Sequence, residues 1–291
     1  ALTVLYDTGK IYRDEYSGWY CTPCERFWTE KDLEDGNCPE CGRPVSELTE
    51  KNYFFRMSDY QDWLIGHIEK NPDFIQPRAR RNEILGFLKK TLGDLCISRP
   101  KSRLSWGIEL PFDEDYVCYV WFDALLNYIT GPGWPRRMDE FDHTWPADYH
   151  VMAKDIVTTH AVYWPTMLRA LEIEPPRTVL SHGWWMVDEA KMGKSLGNAV
   201  PIMKLIDLMG RDALRYFLVR ESILTNDSEF SFESMIRRIN VDLANDLGNL
   251  VSRILGLIKQ NFNGYVPEPS EAGPRELELR EKAIAAAEIA R

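Results

Sequence analysis

Residues 188–198 read Asp-Glu-Ala-Lys-Met-Gly-Lys-Ser-Leu-Gly-Asn, and the most informative part of the chain lies within them. Lys191 and Lys194 stand three positions apart, with Gly193 between them and Ser195 after them. A mobile cationic loop of this kind can close over a triphosphate and neutralise the charge that develops on a leaving pyrophosphate. Two lysines at this spacing are also common on solvated surfaces, so the flanking sequence has to decide between the two interpretations.

The sequence around this loop favours an α/β domain. Short apolar runs at 116–122, 149–152 and 178–180 alternate with helical patterns at 124–129 and 156–171. Such alternation is typical of a parallel sheet whose strands are connected by helices. We therefore predict that the three runs are strands of one parallel sheet.

From residue 231 the sequence predicts helices. Apolar residues at helical spacing form one stripe, which consists of Val241, Leu243, Ala244, Leu247, Leu250, Val251, Ile254 and Leu257. A link rich in Pro, Gly and Glu at 263–274 leads into a final charged helix.

Composition excludes several function classes. The chain has 291 residues, of which 44% are hydrophobic, enough for the core of one large domain or two smaller ones. Its net charge of −10 argues against binding nucleic acid by bulk charge, and we predict no DNA partner. No run approaches the roughly 18 apolar residues of a membrane span, and the first seven residues do not resemble a signal peptide. We predict a cytoplasmic protein with no membrane partner.

Four of the six cysteines form a pattern. Cys21 and Cys24 make one Cys-x-x-Cys knuckle, and Cys38 and Cys41 make a second one thirteen residues later. Two knuckles bring four thiolates around one tetrahedral Zn²⁺, and a closed four-thiolate site is structural because it leaves no open position for a reactant. Two disulfides are the alternative, although no secretion signal supports them. The acidic insert at 25–37 argues against a DNA-binding zinc finger.

Two segments are candidates for lining a small-molecule pocket. In the first, a strand-like run turns into a helix and carries Trp121, Leu125 and Tyr128, and we expect Trp121 near the carboxyl edge of the parallel sheet. The second carries Asp155, followed by residues at i, i+3 and i+4 of one helical face: His160, Tyr163 and Trp164. Isolated aromatic stripes are more often core, and Asp155 could simply be a helix N-cap. Together the segments suit an uncharged thioether side chain with an ammonium to be paired.

With these motifs in hand, the chain resembles the methionyl-tRNA synthetases, which are class I aminoacyl-tRNA synthetases, and specifically the bacterial type with a single zinc knuckle. The resemblance runs from residue 1 to about 265 and rests on the lysine loop, on the zinc ribbon and on four further motifs. These are Asn52-Tyr-Phe-Phe-Arg-Met, Ile97-Ser-Arg-Pro-Lys-Ser, Tyr119-Val-Trp-Phe-Asp-Ala-Leu-Leu-Asn-Tyr and Lys154-Asp-Ile-Val.

The resemblance implies a fold and a division of the chain. The fold is the second half of a class I Rossmann-type nucleotide-binding domain, with a zinc-ribbon connective insertion and an α-helical anticodon-binding bundle after it. The expected segments are the zinc-bearing insertion (1–56), its remainder (57–115), the second half of the catalytic domain (116–190), the lysine-loop and stem-contact region (191–230) and the start of the anticodon domain (231–291).

The resemblance also implies roles for individual residues. Methionine would contact Trp121, Leu125, Tyr128, His160, Tyr163 and Trp164, with Asp155 holding the amino-acid end of the pocket. Arg99 would approach the ATP phosphates, Lys191 and Lys194 would stabilise the transition state, and Ser195 would bind ATP with them. Asn249 and Arg253, four residues apart on one helical face, would read the anticodon bases.

The implied activity is that of a methionine–tRNA ligase. Its substrates are L-methionine, ATP with Mg²⁺, and tRNA(Met), and its structural metal is one Zn²⁺ per chain. The methionine carboxylate attacks the α-phosphate of ATP and releases pyrophosphate, after which a ribose hydroxyl at the tRNA 3′ end takes the methionyl group. Because no side chain acts as a nucleophile, positioning and charge stabilisation supply the rate.

Two departures from the family pattern matter. Gly193 stands where serine is usual in the lysine loop, which loosens the loop by roughly 0.5–1 kcal/mol of backbone entropy. The His-x-Gly-His signature of the family's first half is absent from the sequence, and the chain begins with Ala1 instead of Met. We therefore expect a fragment that lacks the first half of its catalytic domain, and that forms no methionyl adenylate alone.

Two other functions remain open at this point. The chain could be a non-catalytic tRNA-binding derivative of a synthetase, although the presence of Lys191, Lys194, Asp155 and His160 argues against long-standing loss of catalysis. It could also be a class I synthetase for another aliphatic amino acid, because those enzymes share the lysine loop.

Overall fold

The computed structural model describes residues 1–22, 24, 26–39, 41–193 and 196–289. Lys194 and Ser195, two of the predicted ATP-binding residues, lie outside the described residues. The chain divides into two compact units. The first comprises Ala1–Met192 and Ser222–Ser228, and the second comprises Gly193–Glu221 and Glu229–Arg291.

The strands are mostly short. In chain order they are β1 (Ile11–Cys21), β2 (Arg26–Trp28), β3 (Ser46–Phe55), β4 (Ile75–Gln76), β5 (Leu95–Cys96), β6 (Ser98–Pro100), β7 (Glu109–Leu110), β8 (Asp113–Cys118), β9 (Tyr149–Ala153), β10 (Thr178–His182), β11 (Trp185–Val187), β12 (Ala190–Lys191) and β13 (Ser228–Glu229).

The α-helices lie in both units. They are α1 (Leu2–Asp7), α2 (Gln61–Lys70), α3 (Arg78–Phe87), α4 (Val120–Thr130), α5 (Met138–Thr144), α6 (Trp164–Ala170), α7 (Ile202–Met209), α8 (Arg211–Glu221), α9 (Phe232–Arg238), α10 (Asn249–Phe262) and α11 (Pro274–Ile289). Short 3₁₀ turns occur at Glu30–Asp32, Met57–Tyr60 and Lys154–Ile156, and π-helical stretches occur at Thr159–Tyr163 and Ile239–Gly248.

A long antiparallel ribbon carries the cysteine knuckles. Strand β1 pairs with β3 over its whole length up to Tyr20, from Ile11 opposite Phe55 to Tyr20 opposite Ser46, and its end also pairs with β2. The last four residues of β3 are buried, whereas its first half is mostly exposed. One end of the ribbon is therefore anchored in the core of the unit, and the other end carries the knuckles.

The parallel sheet of the first unit differs in one strand from the prediction. Strands β9 and β10 pair in parallel as expected, and the third strand is β4, which lies in the segment assigned to the connective insertion. The run at 116–122 was wrongly predicted to join them: β8 pairs antiparallel with β6 and β7. A tight turn suffices to fold β8 back on β7, while a parallel strand needs a longer crossover.

The helical pattern at 156–171 is confirmed, but its geometry is mixed. A 3₁₀ turn, a π-helical stretch and α6 follow one another from Lys154 to Ala170. Pro165 cannot donate a backbone hydrogen bond, which disfavours a regular α-helix here. The Thr166 hydroxyl donates to the carbonyl oxygens of Val162 and Tyr163, at 3.0 and 2.8 Å. Because π-helical turns shift side-chain directions, the faces expected from α-helical spacing are altered at this point.

The second unit is helical, as predicted. Gly210, with φ of +83°, separates α7 from α8, and α9 continues through the π-helical stretch into α10. The apolar stripe of this region is exposed: Leu250, Ile254 and Leu257 have 56%, 48% and 58% of their surface accessible. The described residues therefore contain helices in this region, but these three residues of the stripe are not packed in a core. None of the described helices combines the length and the apolarity that a membrane crossing needs.

Candidate functional site

An open cavity of about 690 Å³ lies in the first unit. It includes four of the predicted methionine- and ATP-binding residues, Trp121, Asp155, Tyr163 and Lys191, and one predicted zinc ligand, Cys24. The rest of its wall consists of Phe87, Leu95, Tyr119, Ile156, Thr158 and Thr159. The cavity thus has aromatic and aliphatic walls, one carboxylate and one ammonium.

Tyr128 and His160 form a hydrogen-bonded pair close to this wall. The Tyr128 hydroxyl lies 3.0 Å from His160 Nε2, and His160 Nδ1 lies 2.9 Å from the carbonyl oxygen of Ile156. Because a carbonyl only accepts, Nδ1 carries the proton, and Nε2 of the neutral ring accepts from Tyr128. Burial lowers the pKa of His160 although the bond to Ile156 opposes the shift. The imidazole ring packs edge-on to Trp121, with centroids 6.4 Å apart.

Leu125 and Trp164 lie in the hydrophobic core. Their exposed fractions are 1% and 0%, and neither belongs to the residues that line the cavity. The centroid of the Trp164 ring lies 6.1 Å from that of Tyr128. In this structure both side chains therefore support the aromatic wall, and their contact with methionine stays a prediction.

Lys191 and Asp155 form an ion pair in the cavity, with Nζ 2.6 Å from Oδ2. Lys191 ends the hairpin of β11 and β12, and Asp155 lies in the 3₁₀ turn after β9. Burial is the largest single influence and raises the pKa of Asp155, but the hydrogen bonds to the carboxylate, chiefly that from Lys191, and the charge of Lys191 together outweigh it, so the pKa lies below its usual value. The carboxylate is therefore charged at neutral pH and directed at a cation, rather than capping a helix.

Arg99 is buried, with 7% of its surface exposed. Its guanidinium donates to the carbonyl oxygen of Ser98 at 2.7 Å and lies 4.5 Å from the ring centroid of Tyr119, which lines the cavity. The structure thus places a fixed positive charge against the wall of the cavity. Contact with ATP phosphates stays a prediction.

The four cysteines of the two knuckles converge. Their Sγ atoms all lie within 4.8 Å of one another, with 3.5 Å between Cys21 and Cys41 and 3.9 Å between Cys24 and Cys38. A tetrahedron of thiolates at 2.3 Å from Zn²⁺ has sulfur–sulfur distances of about 3.8 Å, so the cluster fits zinc. All six cysteines are free, which disfavours the disulfide alternative.

Asn249 and Arg253 belong to α10 in the second unit, and both are exposed. Their spacing of four residues places them on one face of the helix. The side chains are accessible to a partner, as anticodon reading requires, but the structure contains no RNA and their role stays a prediction.

Asp227 is a site residue that sequence reasoning missed. It forms an ion pair with Lys154, and its Oδ1 accepts a hydrogen bond from the backbone N–H of Trp184 at 2.9 Å. It stands 43 positions after Trp184. No local pattern marks it, because its partners are brought to it only by the tertiary fold.

His150 makes the stability of the chain depend on pH. Burial, and secondarily the nearby His160, lowers the pKa of His150 from its usual 6.5 to about 4. Between these values the unfolded chain binds a proton that the folded chain excludes, so acid destabilises the fold. We expect His150 alone to remove about 3 kcal/mol of unfolding free energy as the pH falls from 6.5 to 4.

Urea unfolding at several pH values measures this loss. The variant His150→Gln should have a flatter pH dependence, whereas the variant His143→Gln, which alters an exposed histidine, should follow the unmodified chain. Equal slopes for all three proteins would contradict the assignment to His150.

Comparison with known families identifies the fold. A family model described as tRNA synthetases class I (M) matches residues 1–47 and 44–255. The chain belongs to this family. Its match spans the ribbon with the knuckles, the cavity and the hairpin with Lys191, and it continues into α10, which carries Asn249 and Arg253.

Two curated relatives of this class I synthetase chain are methionine–tRNA ligases. The chain is 53% identical to a methionine–tRNA ligase of Caldanaerobacter subterraneus over 267 residues, and 52% identical to one of Clostridium tetani over 277 residues. These matches cover 91% and 94% of the chain but only 42% and 43% of the two relatives. The chain therefore spans less than half the length of the curated relatives it matches.

A solved structure agrees with the fold of the synthetase chain. The Mycobacterium tuberculosis methionyl-tRNA synthetase in complex with methionyl-adenylate superposes with a TM-score of 0.86 and is 44% identical. The match covers 97% of this chain and 56% of that protein. The expected mixed α/β class I fold is confirmed, together with the resemblance from which it was predicted.

Proposed function

We propose that the chain is part of a methionine–tRNA ligase, which activates L-methionine with ATP and transfers it to tRNA(Met). The observation that carries this proposal is the pairing of Lys191 with Asp155 in an aromatic-walled cavity, in a chain about half identical to methionine–tRNA ligases. The proposal concerns the whole protein to which these residues belong.

The cavity suits methionine. Trp121 and Tyr163 provide polarisable faces for the thioether, and sulfur–aromatic contacts favour it modestly over a purely aliphatic chain. The neutral His160 and Tyr128 hold each other in one orientation, so the wall is preorganised. Asp155 offers the negative charge that the α-ammonium of an amino acid requires.

Activation would take place beside the loop lysines. A carboxylate oxygen of methionine attacks the α-phosphorus of ATP, which is bound with Mg²⁺ as substrate, and the bond to the leaving pyrophosphate breaks. Lys191 would stabilise the negative charge that accumulates on the pyrophosphate, together with Lys194 and Ser195 of the same loop. Arg99 would add positive charge from behind Tyr119.

Transfer to tRNA would follow at the same place. The ribose hydroxyl at the tRNA 3′ end attacks the carbonyl carbon of the adenylate, and AMP leaves. Asn249 and Arg253 would contact the anticodon bases from the helical region, where a larger bundle would bury the apolar stripe. Zn²⁺ at the four cysteines would hold the ribbon in shape without taking part in the chemistry. Six free thiols suit the reducing cytoplasm, our proposed compartment.

Methionine-dependent exchange between ATP and labelled pyrophosphate tests this function. The assay compares the 291-residue chain with the full translation product of the reading frame that contains it. We expect exchange in the full product and none in the chain alone, because the sequence lacks the His-x-Gly-His motif. Exchange by the 291-residue chain alone would show that methionine activation does not need residues outside this chain.

Substrate choice is tested by replacing methionine with leucine, isoleucine or valine in the same assay. Faster exchange with one of these would make the protein a synthetase for another aliphatic amino acid. Binding of tRNA without exchange by the full product would favour a non-catalytic tRNA-binding derivative.

A further inference from the structure

The residues at 226–228 pack directly on the backbone before the hairpin of β11 and β12. A Cβ atom placed on Gly183 would lie 2.0 Å from the carbonyl oxygen of Asn226, so only glycine permits this approach. The backbone N–H of Ser228 donates to the carbonyl oxygen of Trp184 at 2.8 Å. A segment remote in sequence therefore fixes the position of Trp184.

Asp227 adds a charged contact at the same place. Its Oδ1 accepts from the backbone N–H of Trp184 at 2.9 Å, and its Oδ2 accepts from Lys154 Nζ at 2.9 Å. The Lys154 side chain is 22% exposed and that of Asp227 is 33% exposed. The hydrogen bond from Lys154, followed by that from Trp184, lowers the pKa of Asp227. The carboxylate is therefore ionised at neutral pH.

Two lysine ammonium groups lie against the indole ring of Trp184. Lys154 Nζ lies 4.0 Å from its ring centroid, and Lys191 Nζ lies 4.6 Å from it. Each ammonium is attracted by the ring, but two cations on one indole repel each other. Each also has its own carboxylate, Asp227 for Lys154 and Asp155 for Lys191.

These contacts form one connected series from Asp227 to the cavity. We propose that Asp227 is a positioning residue: by holding Lys154 on Trp184, it sets where Lys191 stands relative to Asp155. Without the charge of Asp227, Lys154 lacks this counter-ion beside Trp184. Lys154 and Lys191 lie against the same Trp184 ring, so a Lys154 that has lost its partner competes with Lys191 for the carboxylate of Asp155. This inference rests on the proposed function only in the tests that measure enzymatic activity.

Exchange kinetics of the full translation product provide the first test. Asp227→Asn keeps the shape and an acceptor for the Trp184 N–H but removes the charge. We expect kcat to fall about tenfold because Lys191 is displaced, and KM for methionine to stay within about twofold because the aromatic wall is unchanged. The matched control is Asp148→Asn, which removes an exposed ion pair with Arg177, 3.1 Å apart, and should leave both constants unchanged.

A double-mutant cycle separates positioning from anchoring. If Asp227 acts through Lys154, then Asp227→Asn should lower kcat by less than about twofold in a Lys154→Met background. If Asp227 serves only to anchor the segment at 226–228 to the Trp184 N–H, the loss will be the same in both backgrounds. That second result overturns the proposal.

Chemical labelling of lysines does not depend on enzymatic activity, so it distinguishes a failure of the role proposed for Asp227 from a failure of the proposed function. Acetic anhydride labels lysines of the folded 291-residue chain, and mass spectrometry gives the rate at each position. Asp227→Asn should raise the labelling rates at Lys154 and Lys191 about threefold, because Lys154 loses its carboxylate partner and competes with Lys191 for Asp155, which leaves both amines unpaired for more of the time. The rate at the exposed Lys70 should not change. An unchanged rate at Lys191 overturns the positioning role, whatever the activity. If the unmodified full product shows no exchange, the proposed function fails, and labelling alone decides the role of Asp227.

Discussion

Replacing Lys191 by alanine should lower kcat for methionine-dependent pyrophosphate exchange about 100- to 1,000-fold in the full translation product, the range found for one charge-stabilising donor in other enzymes. The reason is that the ammonium paired with Asp155 lies in the wall of the cavity, where a substrate phosphate would replace that carboxylate as its partner. KM for methionine should change by much less, since the aromatic wall is untouched.

The control for this experiment is Lys70→Ala. Lys70 is exposed at the end of α2, so its loss removes the same charge from the chain without touching the cavity. A second variant, Lys191→Arg, tests whether charge alone suffices: a planar guanidinium keeps the charge but changes the geometry, and partial activity is expected. Full activity of Lys191→Ala would exclude this lysine from catalysis.

Loss of one knuckle cysteine should abolish zinc binding and unfold the outer part of the ribbon. Cys38 is 1% exposed, and its N–H donates to the carbonyl oxygen of Arg43, two residues after the second knuckle. A serine there removes one thiolate from a closed site. Structural zinc contributes about 10–16 kcal/mol of apparent binding free energy in small zinc peptides, so its loss should strongly destabilise the knuckles.

Metal analysis and limited proteolysis measure this effect on Cys38→Ser. We expect one zinc per chain in the unmodified protein, none in the variant, and rapid cleavage of the variant within residues 21–46. The control is Cys96→Ser, which removes a thiol that does not belong to the cluster. The Cys96 sulfur accepts a hydrogen bond from Arg99 at 3.3 Å, and a serine hydroxyl can accept the same bond. One zinc per chain in Cys38→Ser would contradict a four-cysteine site. Removing zinc from the unmodified chain with a chelator should cause the same rapid proteolysis as the substitution.

Several expectations could be drawn from the sequence because they depend on spacing along the chain. Two Cys-x-x-Cys knuckles predicted that four cysteines converge on one site, which the four neighbouring Sγ atoms confirm. Alternating apolar runs predicted β9 and β10 as parallel strands, which the pairing of Thr178 with Tyr149 confirms. The i, i+3, i+4 pattern predicted a shared face for His160, Tyr163 and Trp164. The π-helical stretch instead leaves Tyr163 on the cavity wall and Trp164 in the core.

The sequence by itself determined the class I synthetase family, the four converging cysteines and the loop with Lys191, because in each case the pattern consists of residues that are close neighbours in the chain. Only the tertiary structure decided that β4 completes the parallel sheet and that β8 does not, since strand partners come from distant segments. It also decided that Lys191 meets Asp155, and that Asp227 reaches Lys154 across 73 positions. Contacts between charges far apart in sequence leave no periodic signal, because only the folded chain brings them within the few ångströms over which they interact strongly.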